Sequence, residues 1–375
     1  MPAAAGSAPL KILHVFRAPL GGLFRHVLDL ARGQIARGHA VGIFCDSTTG
    51  GARADQVFAE LAPQLSLGVT RVPMSRYPSL TDLRAQISQV SIRDRIAPQI
   101  VHAHGSKGGV YARLPALVSP RRRYITAYTP HGGSFNYKPG SAEHRVYMTI
   151  ERLLERATDM FLFESAFIAG RFEAHVGHKP RTGHRVVLNG ISEAEFEPID
   201  HAHAAFDLVY LGELRSAKGV DTLIEALALL KRRDGLTPRI LIVGSGPDEA
   251  LLRQMTVEQG VAAQCVFEPP GPIRAALAKA HVMVIPSRAE SLPYVILEAA
   301  AAAQPLISTD VGGIKEIYGP AHAGRLIPPD DPTILADTIR RTLATPAAER
   351  LTEAADLASH VRANFRLDAM VDGVL

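Results

Sequence analysis

Short apolar runs alternate with stretches of helical periodicity along the first half of the chain. Residues 11–16 predict a buried strand, the Gly21-Gly22 pair predicts a turn, and residues 24–36 predict an amphipathic helix. Strands separated by helices indicate βαβ units and a mainly parallel sheet that is covered on both faces. The further strands are predicted at residues 40–45, 69–73, 99–103, 124–128 and 185–188, with helices that include 79–96 and 142–157.

The same alternation restarts in the second half. Residues 192–203, between the halves, are polar, acidic and rich in histidine, and we predict the linker there. The sequence therefore predicts an α/β protein of two doubly wound, Rossmann-like domains, with the active site in a cleft between them. The strands of the second half are predicted at residues 205–211, 239–243, 264–267, 282–285 and 305–308, and its helices include 220–231, 247–259 and 293–303.

Charge is unevenly distributed over the 375 residues, of which 47% are hydrophobic. Residues 1–190 hold 24 Lys+Arg and 12 Asp+Glu, a net +12, which leaves 17 and 25, a net −8, for residues 191–375. A basic first half suggests an anionic partner such as a membrane surface or a phosphorylated substrate, although a solvated arginine-rich surface would have the same composition. The basic cluster that suggests it comprises Lys107, Arg113, Arg121, Arg122, Arg123 and Lys138.

Targeting signals are not evident in the sequence. Residues 1–10 lack a basic segment followed by an apolar one, and no run approaches the roughly 18 apolar residues of a membrane span. The two cysteines, Cys45 and Cys265, lie at the ends of apolar runs and are expected to be free thiols. We therefore expect a cytoplasmic protein, or one that is peripheral on the inner face of the membrane.

The strongest chemical signal is the segment 286–299, which follows a predicted strand. Glu290 lies in the loop after that strand, and Glu298 lies eight residues later on an alanine-rich helix that begins near Pro293. The amides at the start of such a helix favour an anion such as a diphosphate, and two carboxylates beside it could bind sugar and ribose hydroxyls. Two solvated glutamates on a helix face would have the same spacing.

This segment resembles the E-x7-E signature of the retaining glycosyltransferases of family 4, which have the GT-B fold. The resemblance implies an N-terminal acceptor domain over residues 1–195, a C-terminal donor domain over 196–360, and a final helix over 361–375 that returns to the first domain. Other segments match the family in order and spacing: Pro19-Leu20-Gly21-Gly22, Val101-His102-Ala103-His104-Gly105, Thr129-Pro130-His131-Gly132, Leu188-Asn189-Gly190-Ile191, residues 211–220, Val243-Gly244-Ser245-Gly246-Pro247 and residues 311–317.

Roles for individual residues follow from the resemblance. Glu290 would contact hydroxyls of the transferred sugar, Glu298 would contact the ribose, and Lys218 would neutralise the diphosphate as its bond to the sugar breaks. His131 would lie over the sugar, and the glycine pair would let the backbone approach the donor phosphate or the acceptor closely. The remaining residues for which the resemblance implies substrate contacts are Gly21, Gly22, Asn189, Gly244, Gly246, Ser291, Leu292 and Pro293.

One position departs from the family pattern. Glu213 stands where the family usually has an arginine, and a carboxylate cannot balance a diphosphate. Arg215 lies two residues further on, where an extended backbone would present it on the same face. We hypothesise that Arg215 takes the place of the missing arginine beside Lys218; a solvated loop arginine is the alternative.

Metal, dinucleotide and nucleic-acid binding are weakly supported. His102 and His104 could suggest a metal, but no third ligand is apparent, and the chain has no Asp-x-Asp motif. The glycines near Gly244 form only half of a dinucleotide fingerprint. Aromatic residues are 6% of the chain, tryptophan is absent, and no nucleic-acid motif occurs. We therefore expect no cofactor and no metal.

The predicted activity is the transfer of a sugar, with retention, from a nucleoside-diphosphate sugar to a glycan or lipid-linked acceptor in bacterial polysaccharide or glycolipid biosynthesis. This assignment rests on the family resemblance. Two alternatives stay open at this point. The first is another GT-B activity, such as a sugar epimerase or phosphorylase. The second is a catalytically silent protein that binds sugar nucleotides, with Glu213 as a sign of decay.

Overall fold

A computed structural model describes residues 8–76, 79–119, 121–136 and 139–375, with only the backbone of Asn136. Lys138 of the predicted basic cluster lies outside this range. The chain forms two compact units. The first comprises Met1–Leu188 and Leu367–Leu375, and the second comprises Asn189–Arg366. The division after Leu188 precedes the boundary that we predicted after residue 195, and the chain returns to the first unit at Leu367.

The first unit contains a parallel sheet in which seven strands are found among the described residues. The strand order is β3-β2-β1-β4-β5-β6-β7, so the direction of winding reverses between β1 and β4. In α/β sheets, ligands bind at the carboxyl ends of the strands beside such a reversal. The strands are β1 (Lys11–Val15), β2 (Ala40–Asp46), β3 (Val69–Val72), β4 (Ile100–His104), β5 (Ile125–Thr129), β6 (Met160–Phe163) and β7 (Gly183–Val186).

Helices connect these strands, and local sequence explains where they start. At α3, for example, the backbone amide of Ser79 donates to Asp82 over 2.8 Å, a capping box that begins the helix. The terminal helix α14 packs on α1, and Arg37 of the C-terminal end of α1 pairs with Asp368 and Asp372. The helices are α1 (Gly21–Ala36), α2 (Gly51–Leu61), α3 (Leu80–Ile96), α4 (Gly105–Val118), α5 (Ala142–Glu155), α6 (Ala166–Val176) and α14 (Leu367–Val374).

The second unit repeats this architecture around a smaller parallel sheet, with five strands among its described residues. Its order is β10-β9-β8-β11-β12, so the winding reverses between β8 and β11. The strands are β8 (Phe206–Leu211), β9 (Ile240–Val243), β10 (Cys265–Glu268), β11 (Ala280–Ile285) and β12 (Leu306–Ser308). The helices are α7 (Val220–Leu229), α8 (Glu249–Glu258), α9 (Ile273–Leu277), α10 (Tyr294–Ala301), α11 (Ile314–His322), α12 (Pro332–Ala344) and α13 (Ala347–Asn364).

The central strands of each sheet are buried on both faces, as continuous apolar strands require, whereas the edge strand β7 is exposed. In the second unit, Ile240, Leu241 and Ile242 of β9 are all buried, and so is almost the whole of α7. The strand predictions agree with the structure to within two residues at each end. The strand β6 was not predicted, and neither were the helices α2, α4, α6, α11 and α13. In the part of the chain that the structure describes, no helix combines the length and the apolar character that crossing a bilayer requires.

The segment 192–203 is not a free linker. It lies within the second unit, where the Ile199 amide donates to the carbonyl of Ala302 and Arg274 donates to the carbonyls of Glu195 and Glu197. Phe196 is buried at the end of a short 3₁₀ turn. Its polar composition suggested exposure, but its backbone carbonyls and this one phenylalanine attach it to the domain.

Candidate active site

An ion pair lies where the winding of the second sheet reverses. Lys218 follows β8 and Glu290 follows β11, and these two strands are paired in parallel. The Nζ atom of Lys218 lies 2.7 Å from Oε1 of Glu290, and the Ser287 hydroxyl donates to the same oxygen over 2.7 Å. The side chain of Glu290 is only 8% exposed, so the pair is largely withdrawn from solvent. The sequence thus predicted both members, and the structure adds Ser287.

Backbone contacts hold the two loops of this pair together. The amide of Arg288 donates to the carbonyl of Ala217 over 2.9 Å. A Cβ atom at Gly219 would lie 2.0 Å from the carbonyl oxygen of Pro286, so only glycine fits there. The Arg288 side chain is pinned in turn by both carboxylate oxygens of Asp221, each at 2.8 Å. The position of Lys218 relative to Glu290 is therefore set by the backbone as well as by their charges.

The predicted donor-binding glycines follow β9 at the same edge of the sheet. A Cβ atom at Gly244 would lie 1.9 Å from the carbonyl oxygen of Gly212, and one at Gly246 would lie 2.2 Å from that of Leu214. The Leu214 amide also donates to the carbonyl of Ser245 over 2.9 Å. The glycines therefore serve the close packing of two loops, a role that sequence reasoning did not predict.

The segment after Glu290 leads into α10, as the pattern predicted. Pro293 occupies the N-cap position of α10, and Glu298 lies on that helix, half-buried. The carbonyl of Leu292 accepts a 2.9 Å hydrogen bond from the amide group of Asn189, which is buried. The carbonyl of Ser291 accepts a 2.7 Å bond from Gly313. Asn189 therefore holds the backbone of the loop at Leu292 through this hydrogen bond.

Arg215 lies beside the carboxylate that distinguishes this chain from the family pattern. Its Nε atom lies 2.8 Å from Oε2 of Glu213, and both side chains are about half exposed, at 46% and 56%. The backbone amide of Arg215 also donates to the carbonyl of Glu213 over 3.1 Å, so a tight turn at Leu214, rather than an extended segment, brings the two side chains together. An exposed pair of this kind contributes about 0–1 kcal/mol, so little free energy opposes its exchange for another partner.

In the first unit, the glycine pair lies beside the reversal between β1 and β4. Gly21 and Gly22 open α1 and are exposed. Gly21 has φ +68°, and a Cβ atom there would meet no atom within 4 Å. Backbone conformation, rather than local crowding, is therefore the reason for glycine at this position, and the exposed start of α1 is accessible to a ligand.

Five histidines from the first unit lie together beside the same reversal. His14 and His102 are register partners on β1 and β4, and His104 follows on the same face of β4. The rings of His102 and His104 lie 4.0 Å apart, and those of His26 and His131 lie 4.8 Å apart. Our expectation that the pair on β4 has no third histidine beside it was wrong, because the sheet register brings His14 to it.

Burial favours the neutral form of four histidines of this cluster. Burial lowers the pKa of His14 from 6.5 to about 4, against the opposing effect of its hydrogen bond to the side-chain oxygen of Gln34. Burial also lowers the pKa of His102, His104 and His131 well below the ordinary value, and neighbouring histidines add to the effect. His131 has φ +54°, which is strained for a residue with a Cβ atom. A strained, half-buried histidine at a strand end is a candidate for ligand contact.

The predicted basic cluster does not form one surface. Arg113 is fully buried, lies 2.9 Å from Glu151 and covers the ring of Tyr128. Lys107 pairs with Asp82, and Arg122 pairs with Asp159. Only Arg121 and Arg123 of the described members are exposed. The placement of Arg113 on a surface was wrong, because the helical spacing of α4 turns it inward.

Comparisons with known proteins agree with this architecture. Residues 20–195 match the model of the family described as Glycosyltransferase Family 4, and residues 192–357 match that of Glycosyl transferases group 1. A D-inositol 3-phosphate glycosyltransferase from Jonesia denitrificans is 30% identical over 366 residues, which cover 86% of this chain and 83% of the relative.

Two further similarities concern sugar donors. A GDP-mannose-dependent alpha-(1-6)-phosphatidylinositol monomannoside mannosyltransferase from Mycobacterium tuberculosis is 28% identical over 289 residues, covering 72% of this chain and 73% of that protein. The crystal structure of HepE from Anabaena, in complex with UDP and glucose, superposes with a TM-score of 0.78 at 19% identity, covering 97% of this chain and 98% of that one. At this identity the superposition shows the fold alone.

Proposed function

Because the chain belongs to glycosyltransferase family 4 and has the GT-B fold, we propose that it transfers a sugar, with retention and without a metal ion, from a nucleoside diphosphate to a glycan or lipid-linked acceptor. The observation that carries the proposal is the ion pair of Lys218 and Glu290 at the reversal point of the second sheet. Charged side chains that are largely withdrawn from solvent at such a point are typical of a site that binds a charged ligand.

The chemistry that we propose for this pair comes from the family resemblance, and the contacts of the pair support it. Lys218 is balanced by Glu290 across 2.7 Å. An incoming diphosphate competes for the ammonium group, which then stabilises the charge that develops on the phosphate as its bond to the sugar breaks. The contacts to Lys218 and Ser287 both use Oε1 of Glu290. Oε2 is left to contact hydroxyls of the sugar, and the family resemblance leads us to propose that Glu298 contacts the ribose and that His131 contacts the sugar.

Donor binding is tested first, by thermal unfolding with UDP, GDP, ADP and TDP. Binding at about 100 times Kd stabilises the native state by about 2.7 kcal/mol and raises Tm. We expect one nucleotide to raise Tm, and Glu298→Ala to weaken that shift. A panel without any shift at millimolar concentration would remove the donor-site assignment. The panel includes both GDP and UDP because one relative is GDP-mannose-dependent and the HepE structure is a complex with UDP.

Turnover separates the competing activities. With the matching nucleotide sugar, we expect hydrolysis or transfer, a product whose anomeric configuration by NMR equals that of the donor, and no loss of rate in EDTA. Interconversion of the sugar without release of nucleotide would support an epimerase, and phosphate-dependent cleavage would support a phosphorylase. Nucleotide binding without any turnover would support the silent binding protein.

The arginine hypothesis needs its own variants. Removing one charge that stabilises a developing anion costs about 10²–10³-fold in kcat, which we expect for Lys218→Ala. Arg215→Ala is expected to lose a smaller but clear part of the rate, because Arg215 must first leave Glu213. Lys231→Ala is the control, since Lys231 is exposed on the π-helical turn that follows α7 and donates to the carbonyl of Gly260 rather than to a group of the site. Full turnover in Arg215→Ala would show that Arg215 does not replace the family's arginine.

A membrane-facing role is proposed on a separate observation. Leu80, Leu83 and Ile87 follow one stripe of α3 and are 90%, 64% and 62% exposed. Arg84 and Arg95 of the same helix are also exposed. Apolar side chains beside basic ones suit the interface of an anionic bilayer, where a lipid-linked acceptor would be presented.

Flotation with anionic and neutral vesicles tests this role. We expect binding to anionic vesicles that weakens in salt and is lost in Leu83→Ser/Ile87→Ser. Leu251→Ser/Val257→Ser is a matched control on α8, because those side chains are 64% and 67% exposed. If both double variants bind alike, α3 is not the membrane contact.

A further inference from the structure

Four side chains in the first unit form a continuous series of hydrogen bonds, which we call the relay: Gln34, His14, His104 and His131. Nε2 of His14 lies 2.8 Å from Oε1 of Gln34, and Nδ1 of His14 lies 2.9 Å from Nε2 of His104. Nδ1 of His104 lies 3.2 Å from Nε2 of His131. Gln34 lies on α1 and is 1% exposed, and both His14 and His104 are fully buried. His14 and His104, the two inner members of the relay, therefore each use both ring nitrogens in hydrogen bonds.

The position of the proton on one ring of the relay determines its position on the next. A neutral imidazole has one N–H donor and one acceptor nitrogen, so each bond in the relay holds one proton. If His14 donates from Nε2 to the Gln34 oxygen, its Nδ1 must accept from Nε2 of His104. Nδ1 of His104 must then accept from Nε2 of His131. One orientation of one glutamine amide thus sets the tautomer of all three rings.

Metal binding is the competing explanation for this cluster. Nitrogens of His14, His102 and His104 lie within 4.8 Å of one another. Two nitrogens at zinc-ligand distances of about 2.0–2.1 Å in a tetrahedral site lie roughly 3.3 Å apart. The His14 and His104 nitrogens are closer, at 2.9 Å, which is a hydrogen-bond distance. Nδ1 of His14 and Nε2 of His104 are the atoms that bond to each other in the relay, so their separation favours hydrogen bonding over metal binding.

We propose that Gln34, His14 and His104 are positioning residues that hold His131 as its Nε2–H tautomer, so that Nδ1 is the acceptor nitrogen that His131 offers to a hydroxyl of the donor sugar. The assignment of the sugar rests on the proposed function, whereas the tautomer does not. His131 cannot supply both a donor and an acceptor to a ligand while Nε2–H is committed to His104. The relay thus selects a ligand group that donates a hydrogen bond.

The tautomers can be read directly in the free protein. In ¹⁵N-histidine-labelled protein at pH 7, ring-nitrogen shifts and couplings distinguish a protonated from an unprotonated nitrogen, and His131→Gln assigns the His131 signals. We expect His14, His104 and His131 all to be neutral and protonated at Nε2. A protonated Nδ1 at His131 overturns the proposal. Stoichiometric Zn²⁺ binding that replaces these signals also overturns it, in favour of a metal site.

Substitution of the distant glutamine tests transmission. Gln34→Met removes the acceptor at the end of the relay, so we expect His131 to become a mixture of tautomers. Gln89→Met is the matched control, because Gln89 is a fully buried glutamine on α3 outside the relay. If only half of the molecules hold the competent tautomer, turnover falls about twofold. An unchanged His131 spectrum in Gln34→Met overturns the relay.

The two proposals fail separately. Wild-type protein with the expected tautomers but without turnover on any donor would refute the proposed function and leave the relay intact. Active enzyme with protonated Nδ1 at His131 would refute the relay and leave the proposed function intact.

Discussion

Gly312 offers a sharp test of how the backbone positions Glu290. A Cβ atom at Gly312 would lie 2.0 Å from the carbonyl oxygen of Glu290, whereas real Cβ atoms essentially never come closer than 3.0 Å. In Gly312→Ala, therefore, either the Glu290 loop or the turn at Gly312 must move by at least about 1 Å. A displacement of that size costs about 10²-fold in rate, or roughly 3 kcal/mol of transition-state stabilisation.

The conformation of Gly312 adds a second cost that needs its own control. Its φ of +62° disfavours alanine by roughly 1–2 kcal/mol, whatever the surrounding space. Gly260 has φ +70°, and a Cβ atom there would meet nothing within 4 Å. Gly260→Ala therefore carries the conformational cost alone. The difference between the two variants isolates the overlap with Glu290.

The assay is urea unfolding together with kcat/KM for the identified donor, well below the Tm of each variant. We expect Gly260→Ala to lose about 1 kcal/mol of unfolding free energy and to keep its kcat/KM. Gly312→Ala should be less stable than this control and should lose about 100-fold in kcat/KM. Equal stability and equal activity in the two variants would refute the idea that this glycine holds the Glu290 loop in place.

Three further predictions concern stability, measured by urea unfolding. Glu151→Gln should cost about 3–5 kcal/mol because it leaves the Arg113 charge buried without its counterion; a similar loss in Arg113→Met/Glu151→Leu would contradict this. The native pKa of His14, about 4, lies below its unfolded value of 6.5, so the unfolded state binds the proton first as pH falls. The contribution of His14 to stability is thus nearly constant above about pH 6.5 and falls by about 1.4 kcal/mol per pH unit towards pH 4. His14→Gln should remove about 2 kcal/mol of the drop between pH 7 and pH 5, and an unchanged drop would show that His14 is not one of its sources. Asn189→Ala should cost about 1–3 kcal/mol by leaving the Leu292 carbonyl unsatisfied, and an unchanged stability would show that water replaces the amide.

The charge composition of the first half predicted one basic surface that the structure does not show, because part of that charge is buried. The arginines and lysines of the first half suggested a basic surface, but Arg113 is in the core with Glu151. A net charge counts residues and cannot tell which face of a helix each one occupies. Leu80, Leu83 and Ile87 of α3 are exposed, although apolar residues at helical spacing normally form a buried face.

The sequence by itself determined the two doubly wound domains and the two carboxylates of the E-x7-E segment, because apolar periodicity, glycine turns and strand-to-helix order are local properties of the chain. It also placed Lys218 and Glu290 on loops after strands. Only the tertiary structure decided that Lys218 and Glu290 are in contact and that Ser287 donates to Glu290. It also decided that Arg215 pairs with Glu213. The histidine relay is the clearest case, because His14 and His104 are 90 residues apart. Their contact depends on the register between β1 and β4, and register is set by how whole sheets pack.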